Sequence, residues 1–577
     1  VLEAYQQWLS LAYDLEYLHP DTLQRDARRL FTDMVRVDVL VLLSAMAECY
    51  QFLQLGTGNG FKARCSKISQ HLFAIVKKDY DLMMEGHLYA HKRLIQLFSY
   101  LNRLSLREID LSQQCVSDYL ESEELIPPIY PEPLVRALNK IVKRWFGPFV
   151  PYEIVPGHGP GSVAGIKRPT LFAKYQNLAS DARLRYAFGA DWWCSRSSSI
   201  HLDRTSQTIF VPKSYKTFRT ISMEPSTLQY FQQGVWKVID KYVRNRSYLR
   251  NHFDFHNVDR NRSLAREGSA RGNYATIDLS AASDSVGYEL VKKIFKGTWL
   301  LRFIVTTRST QTILPNGETV SLKKFAPMGS ALCFPIETII FSAICQHVTR
   351  GLGVDGDFSV YGDDIIVPTS CSERLVRVLS GLGFRVNLKK SFTSPDCRYR
   401  ESCGGEFVDG FEVTPMRISR TYNSTDYCDH FTALISLANE AYQRNFYALR
   451  HFFLRKMRSH GIKPLFAPTS ILGPSYSNYH LSRRLNKDLQ REEVRGSAIK
   501  AKRLTSLHLE DDLFQEYEEI RYRHWLESTY LRQRLEWAFE SYVGETAEYV
   551  TYQWFNAPLD ANEKASRDDD QIFNFLS

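Results

Sequence analysis

Two aspartates stand side by side in FSVYGDDIIVP, residues 358–368. Gly362 marks a turn between residues that favour strands, so FSVY and DIIVP read as a hairpin. Asp363 then lies in the turn and Asp364 beside it. Adjacent carboxylates repel, and a divalent cation between them relieves the repulsion. The plain alternative is a solvated turn, because Gly-Asp is ordinary turn chemistry. A second acidic segment lies upstream in NYATIDLSAASDSVG, where YATID reads as a buried strand with Asp278 at its end. Small residues follow (Ser280, Ala281, Ala282, Ser283), then Asp284. A carboxylate at a strand end, followed by residues too small to block a ligand, is how an open metal site is built. Asp284 or Ser283 could equally cap a helix beginning near SVGYELVKKIF, but Asp278 is too far from that helix to do so. Three carboxylates (Asp278, Asp363, Asp364) on two neighbouring strands suit Mg²⁺, an ion that prefers oxygen ligands. Two such ions about 3.5–4 Å apart can activate an attacking hydroxyl and stabilise a leaving phosphate. A nuclease and a polymerase would both use such a site.

The flanking segments separate the two. VPKSYKTFRTISMEP, residues 211–225, carries Lys213, Lys216 and Arg219 at three-residue steps. They form a cationic strip suited to a triphosphate, or else an exposed basic edge strand. FAPMGSALCFPIETIIFSAI opens on a turn at Gly329 and Ser330 and runs into an apolar helix. Gly329 would let the backbone approach a ligand closely, and Ser330 could hydrogen-bond a sugar or base; a plain loop-to-helix junction reads the same way. GLGFRVNLKKSF then brings Lys389 and Lys390, either a general acid near a pyrophosphate leaving group or paired surface lysines. No P-loop competes for the triphosphate: GSVAGIKRPT lacks the Gly-Lys-Ser/Thr ending, and GHGPG is not a dinucleotide fingerprint. The stretch 155–165 reads as a mobile loop, which would lie near the template path if the site is that of a polymerase.

The elements that must position these residues follow a simple order. Residues 1 to about 145 read as helical, with Asp21 as an N-cap after Pro20. Pro127, Pro128, Pro131 and Pro133 suggest a boundary. From about 205 to 415 short β-type runs alternate with helices, and Asn316-Gly317 marks a hairpin between QTIL and ETVSL. After about 425 the chain reads as helical again, through LRQRLEWAFESYV, and ends in a polar tail. The 577 residues, 44% hydrophobic and 24% charged, are those of a soluble globular protein of several domains. The net charge of +9 permits a polyanionic partner. Basic runs at 241–271 (Lys241, Arg244, Arg246, Arg250, Arg260, Arg262, Arg266, Arg271) and at 483–503 could track RNA phosphates or line a solvated helix face. The ten cysteines show no CxxC spacing, so neither a zinc ribbon nor a disulfide framework is indicated, and reduced thiols in a cytosolic compartment are expected. VLVLLSAMA at 39–47 is too short to span a bilayer, and no signal peptide opens the chain. It begins on Val1 without Met, the mark of a trimmed or incomplete N-terminus.

Taken in order, the basic strip, Asp-x5-Asp, Gly-Ser helix, Tyr-Gly-Asp-Asp hairpin and lysines resemble the motif series of viral RNA-dependent RNA polymerases. VPKSYKTFRTISMEP, TIDLSAASDS, VYGDDIIVP and RESCGGEFVDGFEVTP resemble one group in particular, the replicase subunit of single-stranded RNA bacteriophages (levivirus-like). The resemblance covers roughly residues 204–420. It departs from the group at Ser330, where the best-known members carry Asn, the mark of a divergent member. The resemblance implies an α+β right-hand fold of fingers, palm and thumb, with an antiparallel-sheet palm and helical N- and C-terminal regions. Residues 1–150 would be a helical part of the fingers, 151–270 fingers with the nucleotide-entry strip, 271–420 the palm, and 421–577 a helical thumb and C-terminal region. Asp278 and Asp363, assisted by Asp364, would hold two Mg²⁺ ions, with Mn²⁺ able to substitute. Lys213, Lys216 and Arg219 would meet the triphosphate, Asp284 with Ser330 would favour a ribose 2′-hydroxyl, and Lys389 or Lys390 would give the proton. The implied activity is RNA-templated RNA synthesis from ribonucleoside triphosphates in the cytoplasm of a bacterial host. The implied partners are template and product RNA, host elongation factors Tu and Ts and a ribosomal protein, with no membrane. A reverse transcriptase and a non-catalytic RNA-binding viral protein are the competing readings.

Overall fold

Runs of β-branched residues punctuated by Gly and Pro become twelve short strands between residues 205 and 412. They are β1 (Thr205–Pro212), β2 (Phe218–Met223), β3 (Tyr274–Ile277), β4 (Leu279–Ser280), β5 (Gln311–Ile313) and β6 (Thr319–Ser321). There follow β7 (Ser359–Tyr361), β8 (Asp364–Pro368), β9 (Arg385–Val386), β10 (Tyr399–Ser402), β11 (Gly405–Val408) and β12 (Phe411–Glu412). The computed structural model describes residues 2–17, 39–55, 67–105, 112–159, 161–166, 171–176, 178–179, 181–189, 202–353, 357–420 and 427–459, and strand segments within 466–503 and 546–556.

The sheet that matters most has the order β3-β8-β7, all antiparallel. Ile277 pairs with Ile365, and Tyr361 pairs with Asp364 across the two-residue turn Gly362-Asp363. The hairpin read from the sequence is therefore present, and the β3 register carries Asp278 to the same end as Asp364. Both faces are covered, which is why these strands read as near-continuous apolar runs. Ala275, Ile277, Val360, Ile365 and Val367 join the large core around Ile340 and Ile344 of the helix Cys333–Gly351. Ile366 faces the other way, onto Ala265 of the helix Asp259–Arg271 and Phe407 of β11. A second sheet, β2-β1-β5-β6, pairs β1 parallel with β5, and the Asn316-Gly317 hairpin closes β5 on β6 with Gly317 at φ +86°.

The helical N-terminal reading holds for the described residues, with helices at Leu2–Asp14, Val39–Leu55, Lys67–Met84, Leu88–Ser99, Ser112–Glu124 and Glu132–Phe146. The proline cluster starts the last of these, with Pro131 as its N-cap. That helix lays Val135, Leu138, Val142, Trp145 and Phe146 against the central core. The first four helices pack elsewhere, in a second core shared with β10–β12 and the helices Tyr427–Gln443 and Tyr447–Ser459, whereas Ser112–Glu124 lays Tyr119 against Leu314 and Leu322 beside the β5–β6 hairpin. Asp14 accepts hydrogen bonds at 2.8 Å from the backbone N–H groups of Ala448 and Leu449, capping a helix from the far end of the chain. The described residues of 1–150 are thus divided among three apolar clusters.

Three expectations are corrected. The basic stretch 483–503 is not a helix face but the strand pair Arg483–Asn486 and Arg491–Arg503, the latter paired with Thr546–Asn556. Alternation of Ile499 and Ala501 with Lys500 and Lys502 is a strand period. Within 241–271, Arg262 and Arg266 donate to the carbonyls of Cys403 and Gly410, while Arg260 and Arg271 pair with Asp357 and Glu267. These four also make contacts within the fold, with Arg271 still largely exposed. Third, the described part of the 155–165 loop is tied down: Lys174 Nζ donates to Gly159 O at 2.7 Å and to Gly161 O at 2.5 Å, and Ala164 N–H donates to Glu224 O at 2.9 Å. Asp21, the LRQRLEWAFESYV helix and the polar tail lie outside the described residues. Among the described residues no helix is long and apolar enough to cross a membrane.

Candidate active site

The hairpin turn needs glycine at its first position. Gly362 sits at φ +62°, and a Cβ there would come within 2.7 Å of Phe334. Its N–H donates to Thr338 Oγ1 at 3.0 Å, so the turn is pinned to the helix Cys333–Gly351. Asp363 projects outward and is exposed, whereas Asp278 and Asp364 are partly buried. Asn387 holds Asp278 from the loop after β9, its Nδ2 donating to Oδ2 at 3.0 Å. Asp364 is held differently: its Oδ1 accepts the Cys403 N–H at 3.2 Å and, more weakly, Ser402 Oγ at 3.4 Å. The RESCG segment is thus the tether of the second hairpin aspartate.

Burial lifts the carboxyl of Asp278 above its ordinary range, and Asp363 adds to the lift, while Lys390, Asn387 and Lys213 oppose it. Burial also pushes Asp364 up to about 6, against the Cys403 N–H and with the help of Asp363 and Asp278. These acids therefore feel one another, and a cation between them would lower the energy of the ionised forms. Among the described residues no three His, Cys, Asp or Glu side chains converge on a single ligating point. Asp278 and the outward Asp363 would be the oxygen donors for a divalent cation, and Asp364 is engaged with the Cys403 turn.

The cations divide unevenly. Lys213 follows β1, and burial, with Lys390 and Arg219 beside it, holds it below the ordinary lysine range against the pull of Asp363 and Asp278. Arg219 lies on the edge strand β2 opposite Val211. Lys216 is at the loop tip, its Nζ 5.2 Å from the Tyr215 ring centre. The three-residue steps therefore yield a converging pair, Lys213 and Arg219, and an outlier. Both later lysines are exposed, and of the two it is Lys390 that acts on Asp278 and Lys213.

The Gly-Ser turn is engaged by contacts within the fold. Gly329 has φ +119°, and a Cβ there would lie 2.2 Å from Ser222 O, so its glycine permits close approach to β2 rather than to a ligand. Ser330 is buried and donates to Gln232 Oε1 at 3.0 Å. Asp284 caps no following helix: the helix Tyr288–Ile294 starts at Gly287 without a side-chain cap, and Asp284 instead accepts from Lys324. Sequence reasoning missed Asn387, Gln232, Lys324 and Glu337. Glu337 is the only acid of the apolar helix Cys333–Gly351, a signal that could have marked it. Burial raises its carboxyl well above the ordinary range, and Asp363 and Asp284 reinforce the shift.

The site is carboxylate-centred, at one end of a helix-covered antiparallel sheet, with cations opposite. Residues 170–443 match the family model of the RNA replicase beta-chain. Over 219 residues the chain is 41% identical to the RNA-directed RNA polymerase subunit beta of Enterobacteria phage SP, covering 38% of this chain and 37% of that protein. It is 35% identical over 214 residues to the corresponding subunit of Escherichia virus Qbeta, covering 37% of this chain and 35% of that one. The polymerase of a human picorbirnavirus superposes with a TM-score of 0.43 at 14% identity, over 71% of this chain and 84% of that one. The chain thus resembles the replicase beta-chains of RNA phages, as its motifs imply, and it spans little more than a third of the relatives it matches.

Proposed function

We propose that this chain is the catalytic subunit of an RNA-directed RNA polymerase that copies a phage genome from ribonucleoside triphosphates. The observation that carries the reading is the β3-β8-β7 register, which delivers Asp278 and the Asp363-Asp364 pair to one sheet end beside Lys213 and Lys390. It falls inside the stretch similar to RNA replicase beta-chains. On this reading 271–420 is the palm, 151–270 belongs to the fingers with part of 1–150, and 421–577 supplies the thumb and C-terminal region.

Asp278 and Asp363 would hold two Mg²⁺ ions, with Asp364 free to join them by leaving the Cys403 turn. Such ions, or Mn²⁺ in their place, supply activation of the 3′-hydroxyl and charge neutralisation at the phosphates. Lys213 and Arg219 bind the incoming triphosphate and hold its α-phosphate in line. Asn387 fixes the rotamer of Asp278. Lys390 faces the leaving pyrophosphate and gives it a proton. Asp284 accepts a hydrogen bond from the ribose 2′-hydroxyl. By resemblance, the chain recruits host elongation factors Tu and Ts, docked on its flanks, and a ribosomal protein, in the cytoplasm of the infected bacterium.

The test is Mg²⁺-dependent nucleotide incorporation on an RNA template, for the chain alone and with bacterial extract, using ribo- and deoxyribonucleotides. Ribonucleotide incorporation that disappears in Asp363→Asn is expected. Preference for deoxyribonucleotides would favour a reverse transcriptase. RNA binding without synthesis, by folded protein with extract present, would favour the non-catalytic reading.

A further inference from the structure

Lys324 lies just beyond β6 with a side chain that has no solvent exposure. An ammonium so placed persists only with close acidic partners. It has two. Its Nζ donates to Asp284 Oδ1 at 2.7 Å and pairs with Glu123 Oε1 at 3.1 Å, and it lies 3.9 Å from the Tyr119 ring centre. Burial disfavours its charge, but Asp284, Tyr119 and Glu123 together hold it above the ordinary lysine range. Glu123 is itself fixed, because its Oε2 accepts the backbone N–H groups of Lys323 at 2.7 Å and Lys324 at 3.3 Å.

Two features make this more than a structural ion pair. The first is connectivity: two carboxylates share the one Lys324 ammonium, and Glu123 is also felt by the buried Arg308. The second is where the cluster opens. Side-chain exposure is 5% at Glu123 and 0% at Lys324, but 19% at Asp284. The member open to solvent is therefore Asp284, on the single turn Ala282–Ser285 that follows Asp278 by a few residues. Asp284 also lies on the catalytic side, since Glu337 senses both Asp284 and Asp363. Lys324 occupies one carboxylate oxygen and leaves the other for a donor.

We propose that Lys324, locked by Glu123, is a positioning residue that fixes Asp284 to accept the 2′-hydroxyl of the incoming nucleotide. The proposal rests on the polymerase reading above and deepens it. It gives the N-terminal helix Ser112–Glu124 a part in sugar selection. A deoxyribonucleotide lacks the hydroxyl and forfeits a charge-assisted hydrogen bond that only a correctly aimed carboxylate can form.

The experiment measures kcat and KM for a ribonucleotide and its deoxy counterpart on a primed RNA template, using the full chain with bacterial extract. Wild type is compared with Lys324→Met, Lys324→Arg and Glu123→Gln, each checked by circular dichroism and melting. Lys324→Met is expected to lower the ribo-to-deoxy ratio of kcat/KM about tenfold or more, through a higher ribonucleotide KM. The deoxyribonucleotide KM should stay put. Glu123→Gln keeps the backbone acceptor and should shift the ratio the same way by less, and Lys324→Arg should restore it in part. Should Lys324→Met fail to fold, Glu123→Gln decides. An active wild type whose ratio does not move in the folded variants, or whose two substrates suffer equally, overturns the proposal alone. A wild type that incorporates neither substrate overturns the polymerase reading and this proposal with it.

Discussion

Glu406, in the middle of β11, and Asp278, at the end of β3, are both acids withdrawn from water with a cation nearby, yet they are held in opposite ways. Around Glu406 the answering groups are all internal. Arg417 closes on one carboxylate oxygen, and the hydroxyls of Tyr50 and Tyr399 each donate to the other at 2.8 Å. Tyr50 belongs to the helix Val39–Leu55, so the network pins the N-terminal helices to the β10–β12 sheet. Around Asp278 the balance is left open, since Lys213 and Lys390 act at a distance, and burial and Asp363 raise the carboxyl. Glu401 stands between the two regions. Burial and Glu406 lift it to about 7, while Arg417 on one side and Lys390 on the other pull it down. A finished network stabilises the fold. An unfinished one stores demand for a ligand.

The comparison breaks most sharply by substitution. Asp363→Asn should cut nucleotide incorporation by at least about 10²–10³-fold, with a melting temperature equal to or above that of wild type, because it removes repulsion and no internal partner. Arg417→Met should do the reverse. It strands Glu406, whose side chain is fully buried, and breaking a buried pair from one side costs about 3–5 kcal/mol. Chemical denaturation reads this loss. If Arg417→Met leaves the unfolding midpoint in place while Asp363→Asn unfolds the chain, the two regions have been assigned the wrong way round.

Lys390 sharpens the catalytic half. It acts on Asp278 and Lys213, so Lys390→Ala should lower kcat by about 10²-fold with KM little changed. Lys389→Ala, next to it but without its pull on Asp278 and Lys213, should lower it by less than about twofold. Equal losses from the two, in single-turnover assays, would remove Lys390 from the leaving-group side.

A smaller effect follows from the carboxyls themselves. Asp364 is lifted to about 6 from 3.8, and Asp278 is raised as well. The folded chain thus holds these protons more tightly than the unfolded chain. The stability they contribute is present below about pH 4 and is lost as pH rises through about 6. Mg²⁺ should offset that loss, raising the melting temperature by on the order of 1–3 °C at pH 7.5 and by less at pH 5. The shift should vanish in Asp278→Asn. A Mg²⁺ effect of equal size at both pH values would place the ion elsewhere.

What could be read in the sequence was whatever chain-local physics dictates. Gly362 at a position of positive φ, alternating β-formers and the Asn316-Gly317 turn gave both hairpins, and β3 ends at Ile277 with Asp278 next, as its pattern implied. The rest depended on partners distant in the chain. Nothing near Lys324 announces Glu123, and nothing near Asp364 announces the Cys403 N–H. The even spacing of Lys213, Lys216 and Arg219 said nothing of the loop that separates the middle one. The arginines of Asp259–Arg271 looked like an RNA surface because their carbonyl acceptors come from the turns after β10 and β11.

Ser330 shows how a partner within the fold competes with a ligand for one hydroxyl, and it yields the smallest effect. A Gly-Ser turn before an apolar helix is the right composition for a sugar contact, but it is equally right for a junction that must satisfy its own polar atoms. Gln232, from the helix Ser226–Arg244, settles the matter locally: its Oε1 accepts Ser330 Oγ at 3.0 Å and the Ala331 N–H at 3.2 Å, and its Nε2 donates to Thr307 O at 2.8 Å. Ser330→Ala removes one of two donors to Oε1, so the amide keeps a partner and the loss should be about 1 kcal/mol or less in chemical denaturation. The ratio of ribo- to deoxyribonucleotide use should not move, in contrast to the shift expected for Lys324→Met. A ratio that falls in Ser330→Ala would mean that the hydroxyl leaves Gln232 when a nucleotide arrives. Sugar selection would then be shared between the two sides of the site rather than held by Asp284.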